Sequence, residues 1–274
     1  MAKMKAERTP KKNRYTRIIE RVFFDHYRRG AASVEFDRDE ITAIAKKLRV
    51  VIPKNLGDII YTFRYRASMP SSIVKEAPEG KQWAIRGIGT GRYCFFLTDL
   101  AHIEPREMLA EIKIPDATPA IVVKYALSDE QSLLAKLRYN RLIDIFLGIA
   151  CYSLQSHLRT TVTEFGQIET DELYVGVDKQ GAHYIVPIQA KGGSDKIGIV
   201  QIEQDFAMCS DKFPLLVCKP IAAQFMGEDV IALFSFESTK NGIKISSEKH
   251  YRLVEHDQLS DDELRSYKLN SPSD

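Results

Sequence analysis

The 274 residues include 44% apolar and 9% aromatic side chains, a composition that excludes a disordered chain and indicates a folded globular protein. The apolar run nearest to the roughly 20 residues of a membrane span covers residues 142–150 and is interrupted by Asp144, so we expect no membrane association. The four cysteines are scattered without CxxC spacing. This spacing argues against a zinc site and predicts reduced thiols in a cytoplasmic protein.

The net charge of +2 conceals an uneven distribution along the chain. Residues 1–100 carry 21 Lys and Arg against 11 Asp and Glu, a balance of +10, whereas the remainder has a balance of −8. A basic front half indicates contact with a polyanion. The alternative is an ordinary solvated surface, because charged patches often serve only solubility.

The front half begins with helical patterns. Residues 1–13 are polar and basic and predict a flexible arm that adds phosphate contacts. Apolar residues at helical spacing predict a helix over residues 14–29, with Gly30 as its stop. A short extended piece at 33–36 and a helix from Asp37 to about Leu48 follow.

A third helical stretch at residues 53–66 completes what looks like a helix-turn-helix. Two β-type runs, residues 83–87 and 91–97, follow it and could form a wing. Side chains suited to phosphate and base-edge contacts lie on the second helix and near the wing. The predicted DNA-binding residues are Lys54, Asn55, Tyr61, Arg64, Arg66, Arg86 and Arg92. A small helical cap with a solvated basic face is the alternative.

The middle of the chain predicts a connector and a helical region. Residues 104–127 contain three prolines and end in an extended run at 120–127. Residues 129–158 have a helical pattern, as two helices or as one helix bent near Tyr139, and the apolar part at 142–154 suggests burial against a sheet. His157 and Arg159 follow. A catalytic role for them is suggested only by their nearness in sequence to the acidic stretch. The alternative is a structural role, which a lone histidine usually has.

The stretch from Gly166 to residue 193 has the pattern of a β-hairpin. Three carboxylates stand at the head of its first strand, the turn-prone residues 178–181 lie in the middle, and Gln-Ala-Lys ends the second strand. Folding brings the acids beside the Gln-Ala-Lys sequence. The predicted site residues are Glu169, Asp171, Glu172, Gln189, Ala190 and Lys191.

Further elements follow the hairpin. The pattern predicts a helix at residues 195–208, a strand at 213–219 that continues at 221–225, and strands at 230–237 and 242–254. An acidic, Ser-rich tail at 255–274 predicts a short helix and a disordered end.

The order helix, three strands, helix, strand, together with Glu-x-Asp-Glu, a turn and Gln-Ala-Lys, resembles the PD-(D/E)XK nuclease superfamily over residues 140–235. The resemblance implies an α/β fold with a restriction-endonuclease-like mixed sheet flanked by helices, preceded here by a helix-turn-helix or winged-helix-like domain. It also implies that the carbonyl of Ala190 completes a metal shell. The superfamily more often has Asp or Glu where this chain has Gln189. Because a neutral side chain removes one negative charge, this difference should weaken metal binding.

Phosphodiester cleavage needs an activated water and cations that offset charge on the phosphate. Mg²⁺ prefers hard oxygen ligands, so Asp171 is the first choice as ligand, with Glu172 or Glu169 as the alternative or second; Mn²⁺ could substitute. Strand alternation puts Glu169 and Asp171 on one side and Glu172 on the other. Gln189 could offer its amide oxygen to the ion or its water, and Lys191 would orient the attacking water.

The sequence therefore predicts a Mg²⁺-dependent DNA endonuclease of restriction type that binds double-stranded DNA and acts as a homodimer. The alternatives are a DNA-binding regulator with an inactive nuclease fold and a structure-specific nuclease of junctions or repair. The expected organisation is an arm at 1–13, a DNA-binding domain at 14–103, a connector at 104–127, a nuclease domain at 128–254 and a tail at 255–274.

Overall fold

The computed structural model describes residues 13–52, 56–126, 129–163, 165–192, 195–227, 229–240 and 242–270. Contacts within the chain divide it between Asp99 and Leu100 into two compact units, here called the N-terminal unit and the C-terminal unit. Each unit encloses its own buried apolar side chains. Each is therefore described as a separate body.

The N-terminal unit combines helices with a small antiparallel sheet. Its helices are α1 (Arg14–His26), α2 (Arg38–Lys47), α3 (Gly57–Tyr61) and α4 (Ser71–Val74), and its strands are β1 (Ser33–Asp37), β2 (Gln82–Gly89) and β3 (Arg92–Thr98). The strand order is β1-β3-β2. A π-helical turn, Thr62–Arg66, continues α3 directly.

Helices α1, α2 and α3 form where the sequence pattern predicts helices, although α1 ends at His26 and not at residue 29; α4 was not predicted. The apolar residues of α1 at helical spacing, Ile18, Ile19, Val22 and Phe23, are all fully buried. Helix α2 begins with a capping box, in which the Glu40 carboxylate accepts the backbone N–H of Asp37. The first helix thus supplies a core-facing stripe and leaves its arginines toward solvent.

The C-terminal unit contains a large sheet with helices on both faces. Its helices are α5 (Ala120–Tyr125), α6 (Asp129–Tyr139), α7 (Leu142–Leu147), α8 (Ile199–Lys212) and α9 (Asp261–Asn270), with a 3₁₀ turn at His256–Gln258. Its strands are β4 (His102–Ile103), β5 (Glu111–Pro115), β6 (Ala150–Val162), β7 (Gly166–Val177), β8 (His183–Lys191), β9 (Ile197–Gly198), β10 (Val217–Cys218), β11 (Ile221–Gly227), β12 (Val230–Thr239) and β13 (Gly242–Val254).

The sheet is mixed and has the order β5-β13-β12-β11-β8-β7-β6. Strands β6, β7 and β8 are successive antiparallel neighbours, and α8 carries the chain across to β10 and β11, which both run parallel to β8. Strand β5 pairs in parallel with β13 at one edge. This mixed α/β sheet flanked by helices agrees with the coarse form of the predicted fold class.

Alternate residues of β8 identify the two faces of the sheet. Val186 and Ile188 pack in one cluster with apolar residues of α6 and α7, whereas Ile185 packs in another with Met208 and Cys209 of α8. Because neighbouring residues of a strand point to opposite faces, α6 and α8 cover opposite faces. Among the described residues, no helix is long and apolar enough to cross a membrane.

The predicted helix over residues 129–158 is wrong in its last part. Helix α7 ends at Leu147 because Gly148 adopts a left-handed conformation with φ of 70°, a common way to terminate a helix. Residues from Ala150 onward form β6, the edge strand of the sheet. The apolar residues that had suggested a buried helix, Tyr152 and Leu154, are exposed on this strand.

Two other local predictions also differ from the structure. Of the run predicted as extended at 120–127, residues Ala120–Tyr125 form helix α5, which begins after Pro119; proline is readily accepted at a helix start. Residue 127 lies outside the described residues. Of the strand predicted at 213–219, only Val217–Cys218 pairs with the sheet. The other predicted strands of this region form, with small differences in their ends.

Candidate active site

The hairpin of β7 and β8 brings Asp171 beside Lys191. The backbone N–H of Ala190 donates a 2.8 Å hydrogen bond to Asp171 Oδ2, which fixes the carboxylate against the end of β8. The Lys191 ammonium lies 3.6 Å from the same Oδ2 atom. Two residues predicted from the sequence, twenty positions apart, therefore meet at one end of the sheet.

A third residue, Glu130 in the first turn of α6, joins this pair. Its Oε2 atom lies 3.4 Å from the Lys191 nitrogen. Burial, followed by the nearby charge of Asp171, raises the pKa of the Glu130 carboxyl, while Lys191 acts in the opposite direction. We call Glu130, Asp171 and Lys191 the acid–lysine cluster. Glu130 was missed in the sequence, where an acid in the first turn of a helix needs no further explanation.

Gly192 allows α6 to come this close to the end of β8. A Cβ atom at Gly192 would lie 2.5 Å from the Cβ atom of Asp129, a separation that side chains do not tolerate. The next residue of the chain, at position 193, lies outside the described residues. At Gly192 the space a side chain would need is taken by the start of α6.

The two other predicted carboxylates have different partners. Glu172 is fully buried and bound by Arg138 of α6, whose Nε donates over 3.1 Å, and by the Ser153 hydroxyl over 2.7 Å. Glu169 is half-exposed and pairs with Arg159 of β6 at 3.1 Å. Of the three predicted acids, Asp171 is therefore the one that the described contacts join to Lys191.

Strand alternation, on which the predicted facing of these acids depended, is interrupted at Asp171. The Thr170 hydroxyl donates to Asp205 of α8, whereas Glu172 contacts Arg138 of α6. Residues two apart on a regular strand share a face, and these two reach opposite faces. The side-chain pattern of β7 therefore shifts between Thr170 and Glu172, and Asp171 occupies the point of the shift.

Gln189 is buried and belongs to a chain of hydrogen bonds that links β8 to α8. The Gly198 N–H donates to Gln201 Oε1 over 3.1 Å, Gln201 Nε2 donates to Gln189 Oε1 over 2.9 Å, and Gln189 Nε2 donates to Asp205 Oδ2 over 3.1 Å. Gln189 is 1% exposed. Its amide oxygen, predicted to face a metal ion, thus already accepts one hydrogen bond.

Asp205 was not anticipated as part of this region. It is completely buried, and burial raises the pKa of its carboxyl to about 7, although hydrogen bonds from Thr170 and Gln189 act in the opposite direction. Its position in α8, sixteen residues after Gln189, gave no sequence signal. The structure shows it as the acceptor that orients the Gln189 amide.

The acid–lysine cluster has donor chemistry that fits Mg²⁺. Within the described ranges, no group of three or more His, Cys, Asp or Glu side chains is arranged to hold a metal. Mg²⁺ usually takes only one or two carboxylates from the protein and completes its shell with water and phosphate oxygens. Asp171 and Glu130 are two such carboxylates; the pKa of Glu130 is raised first by burial and then by the charge of Asp171.

In the N-terminal unit, the π-helical turn arranges arginine and tyrosine side chains in a row. The Arg66 guanidinium lies 4.9 Å from the ring centre of Tyr61, a partner five residues away, as the π-helical repeat allows. The rings of Tyr61 and Tyr65 are 4.7 Å apart, and Arg64 lies over Tyr65 at 4.8 Å. Tyr61 is 45% exposed. The predicted contact residues Tyr61, Arg64 and Arg66 are thus brought together.

The other predicted DNA contacts are less closely grouped. Arg86 lies over the Phe96 ring at 4.4 Å, and Arg92 pairs with Glu35 at 2.8 Å. Both belong to the hairpin of β2 and β3. Lys54 and Asn55 lie outside the described residues.

Comparison of the chain with protein-family models, curated proteins and solved structures gave no match. The chemical interpretation of the site therefore depends on the residues and geometry of this chain.

Proposed function

We propose that this chain is a Mg²⁺-dependent DNA endonuclease whose acid–lysine cluster hydrolyses phosphodiester bonds. The observation that carries the proposal is the meeting of Asp171, Lys191 and Glu130 at the end of one hairpin. A lysine held within 4 Å of two partly buried carboxylates is suited to charge stabilisation more than to surface solubility. The proposal extends to a restriction-type enzyme of the cytoplasm.

The topology supports the proposed nuclease fold. Helices α6 and α7 precede three antiparallel strands, β6, β7 and β8; α8 follows, and β10 and β11 then run parallel to β8. This is the helix, three-strand, helix, strand order on which the resemblance to PD-(D/E)XK nucleases was based. In the N-terminal unit, helices α2 and α3 precede a β-hairpin, which supports a winged-helix-like domain that binds double-stranded DNA.

Each member of the cluster has a proposed role. Asp171 and Glu130 hold Mg²⁺, which would supply positive charge to the phosphate and acidify a water molecule. Lys191 donates hydrogen bonds to the attacking water and to developing negative charge on phosphate oxygens. Gln189, held by Gln201 and Asp205, supports this end of β8 and keeps one lone pair of its amide oxygen available.

Incubation of purified protein with plasmid and phage DNA in Mg²⁺ or Mn²⁺ tests the proposal. We expect cleavage by the wild type, and loss of cleavage of at least 100-fold in Lys191→Ala and Asp171→Ala, with DNA binding retained. Lys179→Ala is the matched control, since Lys179 is an exposed lysine at the turn of the same hairpin.

The competing function is a DNA-binding regulator. The specific observation in its favour is the neutral Gln189, whose amide oxygen is bound by Gln201. DNA that stays intact under all metal conditions while the protein shifts it on a gel would establish this alternative. A homodimer is proposed because the enzyme is expected to cut both DNA strands. The stoichiometry of the protein–DNA complex tests this proposal.

A further inference from the structure

His157 has a strained backbone conformation inside an edge strand. Its φ is 50°, in the left-handed region that residues other than glycine rarely adopt. The other described non-glycine residues with positive φ, namely Arg49, Arg141 and Asp229, flank helices or strands, whereas His157 lies within β6. Strain of this kind clusters at active sites, ligand clamps and switch regions.

The strand register places His157 opposite Asp171. Ser156 of β6 lies opposite Glu172, and Leu158 lies opposite Thr170, so His157 and Asp171 occupy the intervening positions of the two strands. They are not themselves a paired position, and His157 is the residue whose backbone departs from the strand conformation. This is also the point at which the side-chain pattern of β7 shifts. Both irregularities therefore coincide at the candidate site.

The His157 side chain is exposed on β6. The Asp171 and Lys191 side chains are largely buried, so an exposed side chain at the neighbouring position of β6 would stand on the solvent side of the site, from which a substrate approaches. A positive charge on His157 would act against the raised pKa of the Glu130 carboxyl, whose first cause is burial. His157 is the one aromatic proton donor among the residues that we have placed at this end of the described sheet.

We propose that His157 is a further catalytic residue that protonates the leaving oxygen of the scissile phosphodiester; this inference rests on the proposed function. Water attacks phosphorus and forms the new P–O bond, and the bond to the leaving oxygen breaks with its electron pair on that oxygen. The oxygen takes a proton from the His157 imidazolium. The attacking water loses a proton to solvent, and the imidazole regains one from solvent.

The test compares two DNA substrates. End mapping of wild-type products first identifies the leaving oxygen, and a second oligonucleotide then carries sulfur at that position, because a thiolate departs without protonation. His157→Asn removes the acid, and asparagine tolerates the left-handed conformation. We expect about a 100-fold loss of kcat on the oxygen substrate, with unchanged KM, because general acids contribute roughly 10²- to 10⁴-fold.

On the sulfur substrate we expect His157→Asn to cleave within about threefold of the wild type, whereas Lys191→Ala stays defective on both substrates. His183→Asn, at the other end of the hairpin, is the matched control. If His157→Asn lost the same fraction of activity on both substrates, or kept wild-type activity on both, the proposed role of His157 would be excluded. The proposed function of the chain would not be affected by either result. If the wild type cleaves neither substrate, the proposed function fails and this inference fails with it.

Discussion

At the level of single residues, Lys191 lies between two carboxylates, and the proposed chemistry depends on this arrangement. Its ammonium is 3.4 Å from Glu130 and 3.6 Å from Asp171, so it offsets part of a negative charge that would otherwise destabilise the pair. The two carboxylates and the one ammonium of this cluster are the basis on which we propose a divalent cation there.

Glu130→Gln should weaken metal binding while leaving the fold intact. The change keeps the shape of the side chain and removes one of the two carboxylates, so we expect Mg²⁺ or Mn²⁺ affinity to fall on the order of tenfold. Calorimetric titration of the protein without DNA measures this directly. Glu107→Gln, at an exposed carboxylate of the same unit, is the control. Equal metal affinity in both variants would exclude Glu130 as a ligand.

A second prediction concerns Glu248, far from the cluster along the sheet. Burial alone would raise the pKa of its carboxyl, but hydrogen bonds from the Arg106 backbone and guanidinium, and then from His250, lower it below the usual value. A lowered native pKa means that the ionised group stabilises the fold above the pKa of the unfolded chain and loses this contribution as the pH falls through the native pKa.

Glu248→Gln should therefore lower the free energy of unfolding by about 2 kcal/mol at neutral pH, the typical contribution of hydrogen bonds to a charged group. The difference from the wild type should shrink as the pH falls below about 4.5. Urea unfolding at a series of pH values measures it, and the exposed Glu237→Gln in the neighbouring strand serves as control. If the difference in the free energy of unfolding between Glu248→Gln and the wild type grew toward acid pH, it would contradict the ion pair of Glu248 with Arg106.

At the scale of elements, the approach of α6 to the end of β8 assembles the site. Gly192→Ala would place a Cβ atom against Asp129, so α6 or the strand end must shift. We expect a loss of about 1–3 kcal/mol in the free energy of unfolding, as for overpacked sites, and a larger loss of metal affinity than of DNA affinity. Adding Asp129→Gly to this variant should restore part of the lost free energy of unfolding and part of the lost metal affinity. Unchanged metal affinity in Gly192→Ala would argue against this role for the glycine.

The hairpin itself was predictable, because the turn at 178–181 and two apolar runs are local signals. The end of α7 was not, since the pattern of residues 150–158 fits a buried helix until Gly148 is known to be left-handed. The ion-pair partner of Glu172 could not be predicted from the sequence either. Nothing in the sequence couples it to Arg138, which neutralises it from another element. Glu130 joins the site only through tertiary packing.

At the scale of the whole molecule, charge and chemistry are divided between the two units. The basic excess of residues 1–100 and the row of Tyr61, Arg64 and Arg66 belong to the N-terminal unit, whereas the acid–lysine cluster belongs to the C-terminal unit. Mutations at separate sites with no shared partners usually have additive effects on free energy. Affinity for DNA and the rate of cleavage should therefore be separable by mutation.

The double variant Arg64→Ala, Arg66→Ala tests this separation. Arg66 is exposed, whereas the Nε and Nη2 atoms of Arg64 are buried, so Arg66 is the one of the two placed to neutralise a phosphate. The slope of log affinity against log salt should then fall by about 0.9. At saturating DNA the variant should cleave at the wild-type rate, because its acid–lysine cluster is unchanged. Asp171→Ala should show the opposite behaviour, with wild-type affinity and salt slope but no cleavage. Filter binding from low to moderate salt and single-turnover cleavage measure the two quantities. A variant that loses both together would show that the arginines act in the reaction itself and not only in holding the DNA.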